Sequence, residues 1–320
     1  MKNSIKKFIK ILSTFNLMID FVMIPFTIIG GAWFRIAKYI ELKKLPFTKK
    51  LLLKIGVFPL VDHYYEPQFN FSQVDFSKKR QVSSIDLNVA GQLEFLDKLN
   101  FQNELSLIPL KSELPHRYYY HNSSFQSGDA ELYYSIIRHI QPKRIIEIGS
   151  GFSTLLALEA IHKNETSCNL TCIEPYEMIW LEKLGIDVIR KKVEDIELSM
   201  FTGLESGDIL FIDSSHVIRP QGDVMFEIFE ILPLLKPGVL IHFHDIFTPN
   251  DYPEDWIVSE SRFWNEQYLL EAFLSYNSKF TILSAMNYLK NNHFEHFSKV
   301  FPILSKEIHR EPGSLWLVKK

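Results

Sequence analysis

From about residue 130 to the C-terminus, short apolar runs alternate with stretches whose apolar positions recur every three or four residues. The short runs read as buried strands, and the stretches of longer period read as helices packed over them. Seven runs have strand character, near 144–148, 171–174, 186–189, 207–213, 239–245, 280–283 and 314–318. Helical patterns separate them, for example Leu132, Ile136, Ile137 and Ile140, then Leu155, Leu156, Leu158, Ala160 and Ile161. Strands alternating with helices predict an α/β fold with a doubly wound, mostly parallel, seven-stranded sheet. In such sheets ligands bind beyond the carboxyl ends of the strands, where Glu147, Glu174, Asp213 and Asp245 all fall.

The sharpest local signal is Glu147-Ile148-Gly149-Ser150-Gly151-Phe152-Ser153-Thr154, which reads as strand, tight turn, helix. Gly149 and Gly151 are expected to take turn dihedrals closed to other residues and to expose bare backbone to a ligand. The following helix N-terminus offers free N–H groups to an anion. A dinucleotide fingerprint would place a third glycine at Thr154. That departure, and the acid at Glu147, count against a nicotinamide-dependent oxidoreductase.

Glu-x-Gly-x-Gly instead resembles the first motif of class I S-adenosylmethionine-dependent methyltransferases. From about residue 118 to 320 the chain is similar to the group that includes macrocin-type O-methyltransferases. The matching pieces are the 147–154 turn, Asp213-x-x-His216, Lys236-Pro237-Gly238, His244-Asp245 and the final Leu315-Trp316-Leu317. The resemblance implies a Rossmann-like domain binding S-adenosylmethionine through Glu147, Gly149, Ser150, Gly151, Ser153, Thr154 and Asp213. It also implies that Glu194 lies by the adenine. Glu174, at the end of the second strand, suits the ribose hydroxyls. The implied activity is methyl transfer to a hydroxyl, of a sugar or glycoconjugate. The rival reading is a methyltransferase fold without catalysis, serving as a scaffold at a membrane.

Methyl transfer from a sulfonium is an in-line displacement, so alignment of donor and acceptor dominates. A hydroxyl acceptor also needs its proton removed. His216, three residues beyond Asp213, is the candidate base, with Asp213 beside it; the bland alternative is a histidine capping a helix. Asp213 and Asp245 end adjacent strands and are candidate ligands for one Mg²⁺, with His244 next to them. Imidazole suits Mg²⁺ poorly, which leaves Asp251, Glu254 or Asp255 as the third ligand. The alternative is that Asp213 meets the methionine end of the cofactor and His244 meets substrate.

Other features carry plainer readings. His242 shares a face with His244 and reads as a core histidine. Ser127 or Asp129 is expected to cap the helix that follows. Tyr118, Tyr119 and Tyr120 belong to a partly buried loop. The proline-broken stretch 248–256, with Trp256, is either a lid over the acceptor or an ordinary surface loop. Cys168 and Cys172 match no zinc pattern and read as reduced thiols of a cytosolic protein.

Charge divides the chain. Residues 1–54 carry eleven Lys/Arg against Asp20 and Glu41, whereas the remainder carries 24 basic and 36 acidic side chains. Phe15 to Trp33 is almost continuously apolar, interrupted by Asp20, Pro25 and Gly30-Gly31. Lys2, Lys6, Lys7 and Lys10 precede it, and Arg35, Lys38, Lys43 and Lys44 follow it. Basic flanks on both sides favour an in-plane or re-entrant anchor on an anionic cytoplasmic leaflet. A helical arm on the catalytic domain or on a second subunit of a homo-oligomer, and a true span, stand beside it. The lysines are interleaved with apolar residues, so nucleic acid is not the expected partner. The expected organisation is a basic, helical arm at 1–54, a connecting or substrate-cap region at 55–115, and the catalytic domain at 116–320. His63 and Glu66, in the connecting region, are expected to pack rather than to touch substrate.

Overall fold

The computed structural model describes residues 16–320; Lys2, Lys6, Lys7, Lys10 and Phe15 lie outside the described residues. It divides into two compact units that meet in sequence between Val74 and Asp75. The first holds helices α1 (Asn16–Tyr39) and α2 (Pro46–Ile55). Ala37, Leu42 and Leu52, with Phe34 and Leu45 against them, form its small core. His63 and Glu66 belong to this unit, where Glu66 pairs with Lys38 and the His63 Nδ1 accepts from the Tyr65 amide.

The second unit is the predicted α/β sheet. Its helices include α3 (Val89–Leu96), α4 (Asp129–Ile140), α5 (Phe152–Ile161) and α6, a helix over 223–234 with a π turn at Glu227–Ile231. Further along come α7 (Glu254–Val258), α8 (Glu266–Leu274) and α9 (Met286–Asn292). The strands are β1 (Arg144–Ile148), β2 (Asn169–Ile173), β3 (Asp187–Ile189), β4 (Ile209–Ile212), β5 (Leu240–Phe243), β6 (Phe280–Ala285) and β7 (Leu315–Lys319). They lie in the order β3-β2-β1-β4-β5-β7-β6. β1 to β5 run parallel, and β7 runs antiparallel to both neighbours.

Both faces of the sheet are covered, which is why its strands read as unbroken apolar runs. Ile145, Phe211, Leu240 and Trp316 face one core layer, together with Tyr133 of α4 and Leu156 of α5. Ile146, Ile148, Leu210, Ile212, Ile241 and Leu317 face the other. Residues 75–115 are part of this unit rather than a separate cap. The Asn88 side chain donates to the Ile282 carbonyl (3.0 Å), and Gln92 accepts from the Ala285 amide (2.6 Å). α3 thereby closes the β6 edge, a place where unpaired backbone invites association. The strand order reverses between β1 and β4, so the crevice above them is where a ligand fits.

Candidate active site

The turn after β1 shows why glycine stands at 149. Gly149 has φ +77°, and a Cβ there would lie 1.8 Å from the Asp213 carbonyl oxygen. The Asp213 amide ties the two backbones by donating to the Ile148 carbonyl (2.8 Å), and the Gly149 amide anchors the turn to β2 by donating to the Ile173 carbonyl (3.0 Å). Gly151 differs from expectation. Its φ of 179° is extended, and a Cβ would meet only Met178, at 3.7 Å. The turn therefore demands one glycine, not two.

Glu147 and Thr154 lie beneath this turn rather than on its open face. Glu147 alternates with Ile146 and Ile148, so its carboxylate points into the layer under α4 and α5, where it is fully buried. It accepts from Tyr133 Oη (3.1 Å) and Thr154 Oγ1 (2.5 Å), and Thr154 Oγ1 in turn accepts from the Gly151 amide (3.0 Å). Burial, partly offset by these bonds, pushes the Glu147 pKa up to about 7. The acid that marks the motif thus braces the loop from below.

The open face carries the other residues expected to meet a cofactor. A cleft of about 370 Å³ is lined by Gly149, Glu174, Glu194, Asp213 and Arg219. A second hollow of about 170 Å³ shares Gly149, Glu174 and Asp213 and adds Ser150, Gly151 and Ser153. Glu174 is fixed by its own loop. Its Oε1 accepts from the amides of Tyr176 (2.9 Å) and Glu177 (2.8 Å), and Oε2 lies 3.4 Å from the Ser150 amide.

Beyond β4 and β5 the structure gathers two histidines among four carboxylates. His216 Nε2 lies 3.2 Å from Asp213 Oδ1 and 3.7 Å from Asp245 Oδ2, while its Nδ1 meets Glu266 Oε2 at 2.8 Å. His244 Nδ1 lies 3.2 Å from Asp245 Oδ1 and 3.6 Å from Asp213 Oδ1; its Nε2 faces Asp129 Oδ2 at 3.8 Å. Both histidines are buried, and burial alone would disfavour their charge. The carboxylates prevail: Asp213, Glu266 and Asp245 hold the His216 pKa well above the ordinary value, and Asp245 and Asp213 do so for His244. Burial also opposes the charge of Asp213, but His244 and His216 more than offset it and keep that carboxyl well below its usual range.

The backbone is strained at this point. His216 and Asp245 both have φ +58°, a left-handed conformation uncommon for such residues. The His216 carbonyl is held there by the amides of Asn265 (3.0 Å) and Glu266 (3.2 Å). Gly313 leaves the room Asp245 needs, since a Cβ on it would sit 2.9 Å from the Asp245 Cα. Strain of this kind persists where surrounding bonds over-determine the geometry, commonly at functional sites.

Asp213, His216 and Asp245 each place a donor atom within 4.8 Å of the others. The third corner of the cluster is His216. Asp251 is instead bonded to Arg80 (2.8 Å), and Glu254 and Asp255 are exposed at the start of α7.

The surroundings correct several expectations. Neither Ser127 nor Asp129 caps α4. The Ser127 hydroxyl bonds Glu307, and Asp129 Oδ1 accepts from the amides of Gly313 (3.0 Å) and Ser314 (2.7 Å). The cap is Gly128, whose amide donates to Glu131 (3.0 Å). The 248–256 stretch is pinned: Thr248 bonds Glu271 (2.7 Å), and the Asn250 carbonyl accepts from Arg80 and Gln267 (2.9 Å each). Trp256 packs edge-on against Trp264, whose ring lies 4.3 Å from that of His216. Tyr118 and Tyr120 are buried, donating to the carbonyls of Phe125 and Leu105. His242 is a core residue, stacked 3.9 Å from Phe211 and bonded to Ser314 Oγ at 2.9 Å. Asp129, Glu266 and Trp264 were not legible as site residues, because no local pattern marks a side chain that reaches the cluster from a distant loop or helix.

The model of a methyltransferase domain family matches residues 146–246. An uncharacterised protein of Archaeoglobus fulgidus is 34% identical over 164 residues, covering 46% of this chain and 74% of that protein. Among solved structures, the O-methyltransferase TomG of Streptomyces achromogenes with S-adenosylmethionine is 15% identical, covers 71% of this chain and 90% of its own, and has a TM-score of 0.36. An O-methyltransferase of Bacillus cereus with S-adenosylhomocysteine is 14% identical over 71% and 91% of the two chains, with a TM-score of 0.37.

Proposed function

Because this chain belongs to the class I S-adenosylmethionine-dependent methyltransferases, we propose that it transfers a methyl group to a hydroxyl, of a sugar or glycoconjugate. The observation that carries the hydroxyl reading is the Asp213–His216–Asp245–His244 cluster, set directly beside the Gly149 turn. An amine or thiol acceptor has less need of such a concentration of acid–base groups, whereas an alcohol must lose a proton as it attacks.

The cofactor lies in the two hollows that share Gly149, Glu174 and Asp213. Glu174 Oε2 receives the ribose hydroxyls, with Glu194 at the adenine end. Asp213, held anionic, faces the sulfonium. His216 takes the acceptor proton through Nε2. Asp213 and Asp245 at Nε2, with Glu266 at Nδ1, now hold the imidazole protonated. His216 therefore becomes a base only when positive charge beside Asp213 and Asp245 offsets them.

A second reading uses the same atoms for a divalent cation: two strand-end carboxylates and His216 Nε2 converge on one point, and with Nε2 as a ligand the cation, not the imidazole, would activate the hydroxyl. Asp213 and Asp245 are the oxygen ligands, and the imidazoles beside them favour Mn²⁺ or Zn²⁺ over Mg²⁺. A bound cation would lower the pKa of an acceptor hydroxyl and orient it.

Calorimetric titration of the full chain with S-adenosylhomocysteine and with NAD tests the cofactor. Binding of the first alone is expected, and binding of NAD alone would sink the assignment. Titration with Mn²⁺ tests the cluster: the Asp213→Asn, Asp245→Asn double variant should lose the binding, and no binding by the unaltered chain removes the metal.

A further inference from the structure

α1 is a single unbroken helix through Pro25 and Gly30-Gly31. Its 24 residues extend about 36 Å, enough to cross a hydrocarbon core of about 30 Å. Between Phe21 and Phe34 its one polar side chain is that of Thr27. Phe21, Val22, Met23 and Ile24 are consecutive, so between them they point all round the helix, and every one is exposed. Phe26, Ile28, Ile29 and Trp33 continue the same surface, and no residue of the most apolar 18-residue window is buried. A helix lying in the interface plane keeps a charged face toward water. One that is apolar all round is buried in protein or spans a membrane. The Thr27 hydroxyl is satisfied within the helix by the Met23 carbonyl (3.0 Å), and Asp20 sits in the second turn, near the end.

We propose that α1 crosses a lipid bilayer as a single span, with the unit that carries the catalytic cluster on the cytoplasmic side. The charge around the helix matches an anionic bilayer. Arg35, Lys38, Lys43, Lys44, Lys49, Lys50 and Lys54 follow its apolar stretch, against Lys2, Lys6, Lys7 and Lys10 before it. The larger cationic flank stays inside. α2 supports that placement, since Phe47, Leu51, Leu53 and Ile55 are exposed among its lysines, the composition of a segment resting at headgroup depth.

The last turn of α1 also lines a cavity of about 800 Å³ with Arg35, Lys38, Tyr39, Lys43 and Phe58. Glu66 holds Lys38 and Glu41 holds Lys43, which leaves Arg35 with no acidic partner among the described residues. Arg35 is thus free to meet a lipid phosphate. α1 is also part of the folded unit: its Ala37 packs with Leu42 and Leu52.

The test uses the full chain in membranes of a bacterial expression host. It should stay in the pellet after both high-salt and alkaline carbonate washes. Release by carbonate would mean a helix lying on the surface and would overturn the span. Absence from the membrane fraction, with α1 covered by a second copy, would overturn the bilayer as its occupant. An Ile24→Arg, Ile28→Arg double variant should shift most of the protein to the soluble fraction. Protease should remove the catalytic unit in inverted vesicles and spare it in right-side-out ones; the reverse overturns the orientation.

Discussion

At the residue scale, Glu147 is the most exacting position. It is fully buried without a cationic partner within bonding distance among the described residues, and its carboxyl titrates near 7. In an unfolded chain the same group titrates about 2.5 units lower. Between those values the folded state binds more protons than the unfolded state, so stability falls as pH rises from about 4.5 through 7. The effect is limited to roughly 3 kcal/mol for this one group. Glu147→Gln should flatten that part of the profile, with melting temperature less sensitive between pH 5 and pH 8 than in the unaltered chain. An unchanged slope would mean that Glu147 does not titrate there. His216 makes a different prediction. Its loss to alanine should lower kcat by about 100-fold or more. S-adenosylhomocysteine affinity should stay within about threefold, because His216 lines neither hollow. A parallel loss of both would mark it as structural. The role of Glu147 as a brace could not be seen from the motif. Its identity was plain, but its direction depends on which strand face α4 and α5 cover.

At the element scale, the first turn of α5 is held by Thr154. Its hydroxyl satisfies the Gly151 amide and donates to Glu147, joining helix start, turn and strand. Thr154→Val keeps the shape and removes both bonds, leaving a buried amide and a buried carboxylate short of a partner. The expected cost is about 2 kcal/mol by denaturant unfolding, with weaker binding of S-adenosylhomocysteine. Thr154→Ser should restore most of both. Equal stability of the valine and serine variants would show that the hydroxyl is idle. The central strands β1, β4 and β5 were the most legible, because they are buried on both faces and so read as apolar runs. Helix caps were less legible. Ser127 and Asp129 have the right chemistry for a cap, yet tertiary partners at Glu307 and Gly313-Ser314 claim them. The single glycine requirement at 149 likewise arises from Asp213, 64 residues along the chain.

At the scale of the whole molecule, the chain joins a basic, apolar unit to an acidic catalytic one. The break at Val74 lies upstream of Arg80, which ties Asp251, Glu271 and the Asn250 carbonyl. A protein beginning at Asp75 should therefore keep its fold and bind S-adenosylhomocysteine within about threefold of the full chain, as a separately folded unit does. Thermal unfolding and titration of that fragment check this. A fragment that aggregates or fails to bind would mean the two units depend on one another. Residues 75–115 had looked like a connector because their patterns are short. They fold into the catalytic unit through long-range bonds from Asn88 and Gln92 to β6.

The sequence by itself determined the class of fold, the seven strands, the glycine turn after β1 and the charge asymmetry, since each follows from local period, composition or a motif of adjacent residues. Only the tertiary structure decided that Glu147 and Thr154 brace the turn from below, and that His216 closes the cluster with Asp213 and Asp245. It alone brought Asp129, Glu266 and Trp264 to that cluster, and it alone left the apolar stretch of α1 unburied among the described residues. These depend on which faces meet across the sheet and which elements leave surface unpacked, and spacing along a chain carries no record of either.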